Sequence, residues 1–313
     1  MRIRVLGSAA GGGAPQWNCG CVNCRGIRSG TVSAVARRQE SVAVCADGAS
    51  WVVLNASPEI RAQIESFPSL WPREPRHSPI AAIVLTNGDL DHVLGLLSLR
   101  ESHPLTIFAT EAVRRGFTEG NVLYKTLERF EGQVTWRRLR LGEEVALAPS
   151  LRVLPFAVPG KRPIHLEGPG AGSDTDDPED NVGLLVRRAE TADVPTSSGR
   201  SPTLAYISAA AAWTPEIEAR VSAAAAVFFD GTFWSSDELI AAGLGTKRAE
   251  QMAHLPVGGE GGGLSHLARL QARRRVLIHI NNTNPILRED SPERAAVTAA
   301  GVEVAHDDME LEL

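Results

Sequence analysis

Short runs rich in valine, isoleucine and leucine recur along the chain, each closed by glycine, proline, asparagine or aspartate, and this spacing predicts strands. The first covers residues 2–7, where Ile3 and Val5 alternate with arginines. Residues 41–46 and 50–55 flank Asp47-Gly48, a hairpin signal. The run 83–85 reads as a buried strand, and 93–97 as the start of a helix that packs back on the sheet. Further strands are predicted over 106–109, 134–141, 182–188, 203–208, 225–230, 275–280 and 303–305, with a strand or hairpin over 145–157. Helical periodicity marks 59–67, 111–130, 214–224, 264–273 and 291–300; Thr214 is a cap and Pro215 suits the first helical position. Residues 167–181 and 190–202 are polar and read as loops, 167–181 as a mobile one, and 25–39 is a polar stretch.

Two β-rich halves, each ending in strands that alternate with helices, have neither a repeat nor a linker between them. The expected class is α/β: one domain over 1–313, with two mixed β-sheets packed together and helices outside, in four layers. A 43% hydrophobic, 22% charged composition is that of a folded globular chain. Net charge is -5, which argues against general attraction to nucleic acid. The N-terminal stretch is broken by glycines and lacks the apolar centre of a secretory signal, and no run is long enough to span a bilayer, so a cytoplasmic location without membrane insertion is expected. The sequence specifies no oligomeric state; a homodimer is one option.

Chemistry concentrates in three places. The turn 86–92 carries Asn87, Asp89, Asp91 and His92, more donors than a strand-to-helix turn needs; a metal explains them, and an asparagine- and aspartate-rich turn capped by Asp91 is the alternative. Cys19, Cys21 and Cys24 form CxCxxC within the segment 17–24, three soft donors for one ion. Three crowded cysteines cannot pair off, so structural zinc is expected, with free or redox-active thiols as the alternative. Cys45 alternates with apolar residues as a core position. Asp230 and His279 end apolar strands, where an open α/β sheet places reactive groups, and His254 lies in a glycine-rich loop. His77, His103, His165 and His306 lie apart from any cluster and read as structural or surface residues.

TNGDLDH stands where the metallo-β-lactamase fold carries HxHxDH, and the order FFDGTFW, MAHLP, LIHINN is similar to the later half of its ribonuclease Z and phosphodiesterase members. WNCGCVNC, NASPE, SPIAAIVLTNGDLDH, FFDGTFW and HINNTNP together make the chain resemble the coenzyme PQQ synthesis protein B family throughout. The departures from the hydrolase pattern are informative. The first two histidines become Asn87 and Asp89, no histidine stands at 158–161, and the bridging aspartate falls on Ala209 or Ala210. A two-metal hydrolase is disfavoured.

What survives is Asp91, His92 and His279, two imidazoles and one carboxylate, a set that serves Fe(II) oxygenases and that zinc also accepts. The resemblance implies iron, and an Fe(II)- and O2-dependent hydroxylation of the tyrosine ring of a glutamate-tyrosine-derived, dipeptide-like precursor of pyrroloquinoline quinone (PQQ). It also implies His254 as proton donor or acceptor, Asp230 as its support, and Asp89 as a further ligand or as the group orienting His92. Relatives sharing CxCxxC take a fourth zinc ligand three residues after the His279 position, which here is Asn282, a poor soft-metal ligand. The precursor's carboxylates would meet arginines and loop N–H groups, with 11–13 and 281–284 as candidates. The competing functions are a non-catalytic carrier of PQQ or its precursor toward the periplasm and a mononuclear zinc hydrolase.

Overall fold

The computed structural model describes residues 1–166, 177–189 and 202–313. Fourteen strands form two seven-stranded sheets among the described residues. The first sheet takes β1 (Arg2–Gly7), β2 (Ser41–Cys45), β3 (Trp51–Leu54), β4 (Ile80–Val84), β5 (Leu105–Ala109) and β6 (Val134–Arg138). The second takes β7 (Val145–Ala148), β8 (Leu151–Ala157), β9 (Val182–Arg188), β10 (Thr203–Ile207), β11 (Ala226–Asp230), β12 (Arg274–Ile278) and β13 (Glu303–Val304). The C-terminal β14 (Glu310–Glu312) returns to the first sheet, giving the orders β14-β1-β2-β3-β4-β5-β6 and β13-β12-β11-β10-β9-β8-β7.

The continuous apolar runs follow from burial on both faces. In β11, Ala226 and Phe228 face the space between the sheets with Val5, Leu54 and Val84, while Val227 and Phe229 face outward under helices with Ile217, Leu267 and Val297. A third apolar layer covers the outside of the first sheet, where Val53, Ile83 and Ile107 meet Ile60, Leu96 and Val113. Three apolar layers between four layers of secondary structure is the predicted architecture. Cys45 is 1% exposed and sits in the core as expected.

Several expectations are corrected. The polar stretch that follows the cysteines begins with an unexpected element: Val22–Ser29 is a helix closed by Gly30 in the left-handed conformation. Its polar exposed face hid it from an apolar-periodicity reading. The helix expected over 111–130 stops at Thr118, Gly120 takes φ 71°, and a short 3-10 turn, Val122–Thr126, follows. Strand β14, too short and charged to be seen alone, forms because β1 offers its edge. The polar loops expected over 167–181 and 190–202 lie mostly outside the described residues. No described helix is long and apolar enough to cross a membrane.

β3 to β6 run parallel in one sheet and β10 to β13 in the other. The turns after β4, β11 and β12 therefore leave the carboxyl edges of two facing sheets, and the donors meet there.

Candidate metal centre

Asp91 and His92 sit in the short helix Leu90–Val93 after β4, and His279 directly follows β12. The ligand atoms of these three side chains lie within 4.8 Å of one another. Asp91 Oδ2 is 3.0 Å from His279 Nε2 and 3.9 Å from His92 Nε2. Asp91 does not cap the helix; its carboxylate turns to His279 instead. His279 takes φ 59°, a left-handed conformation unusual outside glycine, and this turn at the strand end aims its ring at Asp91.

Both imidazoles are held by their Nδ1 edge. His279 Nδ1 lies 2.8 Å from Thr232 Oγ1, which in turn donates to Asp230 Oδ1 at 2.6 Å. With Nδ1–H bound to the Thr232 hydroxyl, Nε2 keeps its lone pair for the centre. His92 Nδ1 lies 3.4 Å from Thr86 Oγ1, whose hydroxyl donates to Asn55 Oδ1 at 3.0 Å. His92 Nε2 is buried and has no hydrogen-bond partner. An orphaned imidazole nitrogen beside a carboxylate and a second imidazole fits a cation held by these three residues.

The electrostatics agree with that fit for Asp91 and His92, and His279 would release a proton on binding a cation. Burial opposes ionisation of Asp91, yet His92 and His279 override it and hold the carboxyl well below the usual range. Burial lowers His92 to about 4, keeping it neutral as a ligand must be. Burial also disfavours the charged form of His279, but the Asp91 carboxylate outweighs it and raises the ring to about 9.

Beside this triad, His254 Nδ1 meets Asp230 Oδ2 at 2.7 Å, and the His254 ring stacks on His279 with centroids 5.6 Å apart. Asp230 is fully buried; burial raises its carboxyl, but His254 leads the influences that bring it below the ordinary value. Asp89 belongs to neither cluster; with His254 and Lys161 it lines the small cleft above the centre.

The missing hydrolase donors are replaced by an amide pair. Asn87 Nδ2 donates to Asn181 Oδ1 at 3.3 Å, and Asn181 Nδ2 reaches Ala209 O at 2.9 Å and Val158 O at 3.4 Å. The places of the absent histidine and bridging acid are thus tied together by neutral groups.

Sequence reasoning missed Asn181, Thr232 and Glu40. Thr232 lies inside FFDGTFW, two residues from Asp230. Glu40 precedes β2 with no local signal, yet it is wholly buried, with Oε2 3.7 Å from His92 Nε2. Burial pushes its carboxyl up to about 7; the Tyr206 hydroxyl and Asn55 Nδ2 donate to it.

A second cluster, distant in sequence, meets the turn that follows His279 through Asn282. Cys19, Cys21 and Cys24 bring their sulfurs within 4.8 Å of one another at the start of the helix Val22–Ser29. Asn282 presents its amide nitrogen to all three, at 3.1, 3.7 and 3.3 Å respectively. Gln16 N–H donates to Cys24 Sγ at 3.3 Å and Cys21 N–H to Cys19 Sγ at 3.4 Å. Burial pushes Cys24 up to about 11, so three adjacent thiolates require a cation, and the donor set fits zinc.

The two loops proposed for precursor carboxylates are engaged internally. Gly12 N–H donates to Gln39 Oε1 and Gly13 N–H to Ala10 O. In the turn 281–284, Asn282 faces the cysteines and Asn284 donates to Gly231 O while accepting from Ile286 N–H. Buried backbone and sulfur atoms use these donors first.

Residues 50–280 match the beta-lactamase superfamily domain. The coenzyme PQQ synthesis protein B of Azotobacter vinelandii is 44% identical and that of Methylorubrum populi 45%, each aligned over all of both chains. The crystal structure of Zn(2+)-bound PqqB from Methylobacterium extorquens superposes with TM-score 0.91 at 43% identity, covering both chains fully. A diphosphatase of the PhnP family, 21% identical, covers 100% of this chain and 97% of its own with TM-score 0.66, a likeness of fold. Alike from end to end in sequence and in backbone, the chain belongs to the coenzyme PQQ synthesis protein B family of the beta-lactamase superfamily.

Proposed function

We propose that this PQQ biosynthesis protein is a mononuclear non-haem iron hydroxylase acting on the tyrosine ring of a glutamate-tyrosine-derived precursor. One observation carries the reading: one carboxylate and two imidazoles converge on a single position, and Asn87, which stands where the hydrolase pattern carries its first histidine, is tied to Asn181 by a neutral amide pair. Three protein ligands leave positions open for other groups, the arrangement of facial-triad oxygenases, and iron(II) held there would supply dioxygen activation.

The chain's own residues supply the rest. Thr232 and Thr86 hold the Nδ1 edges of His279 and His92, so both Nε2 atoms face the centre before any ligand arrives. Asp230 accepts from His254 Nδ1, which leaves His254 Nε2 as the atom that takes or gives a proton at a phenolic oxygen in the cleft. Asp89 and Lys161 line the same cleft and orient the precursor's charged groups. The Cys19, Cys21 and Cys24 site holds zinc as a structural ion and anchors the loop that leads from β1.

The test is anaerobic loading of the full chain with Fe(II), a Glu-Tyr-containing precursor and ascorbate as two-electron donor, so that the second oxygen atom leaves as water, then exposure to oxygen and mass analysis. A gain of one oxygen on the tyrosine ring is expected. Tight binding with no mass change sinks the enzymatic reading in favour of a carrier, and metal-dependent hydrolysis without oxygen gain sinks it in favour of a zinc hydrolase.

A further inference from the structure

On the other side of the glycine loop lies an open cleft of about 650 Å³ that shares no residue with the metal centre. Its walls come from 12–15, 35–38, Arg294 and the turn at 306–308. Gly11, the residue before this rim, packs its backbone against Asp91: a Cβ there would come within 3.2 Å of Asp91 Oδ2. The loop therefore partitions two separate sites.

Arg37 stands at the base of the cleft and is 6% exposed, the one arginine among the described residues to be buried. Its Nη1 donates to Ala305 O and, at 3.4 Å, to Ser8 Oγ. Its Nε is buried without any partner, and Nη2 makes no bond among the described residues. The Nε/Nη2 edge is the one by which Arg114, Arg115, Arg187 and Arg274 take carboxylates. Arg187 grips Glu144 so, at 2.7 and 2.8 Å, and Arg115 grips Glu119 at 2.9 and 3.3 Å. Arg37 keeps that edge vacant, with Asp307 and Glu289 offsetting its buried charge only at a distance, in a place where burial of a charge is costly.

A second guanidinium makes the arrangement harder to explain as packing. Arg294, half-buried on the helix Pro292–Ala299, lines the same cleft and donates to Ile286 O by Nη1. Burial first and then Arg294 depress the Arg37 pKa to about 10, so the two cations repel across the cleft.

The acids that share the walls are engaged elsewhere. Glu59 accepts from Gln39 N–H at 2.6 Å, and Asp308 pairs with Arg4 at 2.7 Å. Asp307 accepts from Ser8 N–H, the Ser8 hydroxyl and Arg38 N–H at 3.0, 2.8 and 2.8 Å. Glu289 faces the Ser33 hydroxyl at 3.5 Å. None forms an ion pair with Arg37 or Arg294.

We infer that this cleft is a binding site for a small oxyanion, a carboxylate or a phosphate, held by the free Nε/Nη2 edge of Arg37 and by Arg294. The site is independent of the proposed hydroxylation, because it lies outside the metal cluster.

Titration of the purified full chain with sodium succinate, sodium phosphate or sodium chloride at matched ionic strength and pH 7 tests it, read by calorimetry and by melting temperature. Saturable heat and a saturable rise in melting temperature are expected with an oxyanion and not with chloride. A tighter succinate isotherm assigns the carboxylate, a tighter phosphate isotherm the phosphate. Arg294→Gln, on a surface helix, should weaken binding about tenfold by removing one charge-assisted partner. Arg37→Lys, which keeps the charge but loses the planar fork, should weaken it by a similar factor. Equal responses to chloride and the oxyanions overturn the site, as does an Arg294→Gln isotherm identical to that of the unaltered chain.

Discussion

The two clusters of metal-ligand side chains invite comparison because they share one turn. His279 and Asn282, three residues apart after β12, serve one cluster each. The cysteine cluster is local: its three donors span six residues, and Asn282 closes over the sulfurs. The Asp91, His92 and His279 cluster is assembled across 188 residues from two facing sheets, beside a small cleft lined by Asp89, Lys161 and His254. Each cluster offers three protein ligands; soft thiolates suit a structural zinc, and a carboxylate with two imidazoles suits a metal that takes further ligands. The shared turn couples the two clusters mechanically.

Removing an imidazole strikes the comparison hardest. His92→Ala and His279→Ala should each abolish retention of the active-site metal and bring turnover below detection, while zinc at the cysteines stays at one equivalent by elemental analysis. Full metal content and turnover in either variant would break the assignment.

Cys24→Ser should lose the zinc and several kcal/mol of unfolding free energy, since metal binding and folding are linked. Because Asn282 and His279 share the turn, the active-site metal should also bind more weakly in this variant. An unchanged affinity there would show that the two clusters are mechanically independent.

His254→Asn should leave both metals in place and reduce kcat by about 10²-fold. Its pH profile should lose one limb. A profile that merely scales down would mark His254 as a packing residue.

The smallest effect concerns Glu238, which braces the shared turn by accepting from Thr283 Oγ1 and from Trp234 N–H. Burial, the leading influence, pushes its carboxyl up to about 7 from an ordinary 4.5. The folded state therefore holds a proton that the unfolded chain releases earlier. This contribution to stability is full below about 4.5 and is lost as pH rises through 7. Glu238→Gln should remove that slope, worth about 2 kcal/mol, in urea unfolding measured from pH 4.5 to 8.

Most strands were legible because the apolar runs are long and buried on both faces, so periodicity and turn residues agree. The helix Val22–Ser29 and β14 were not, since one is short and polar and the other depends on an edge strand far away in sequence. The same division holds at the site. Asp91, His92, Asp230 and His279 stood out because strand ends rarely carry such donors without a use, and His254 stood out by the family resemblance of its loop. Glu40, Thr232 and Asn181 were silent, for each acts by touching a residue 47 to 94 positions away.

The residues alone determined which chemistry is on hand: a soft-donor triplet, a carboxylate with two imidazoles, and the loss of a second set of ligands. Only the folding of two sheets face to face decided that Asp91 and His279 meet at 3.0 Å, that Asn87 pairs with Asn181, and that an arginine is left buried with its Nε unpartnered. Local pattern follows from which side chains avoid water. Distances between strand ends follow from how the layers pack, and no stretch of sequence encodes that by itself.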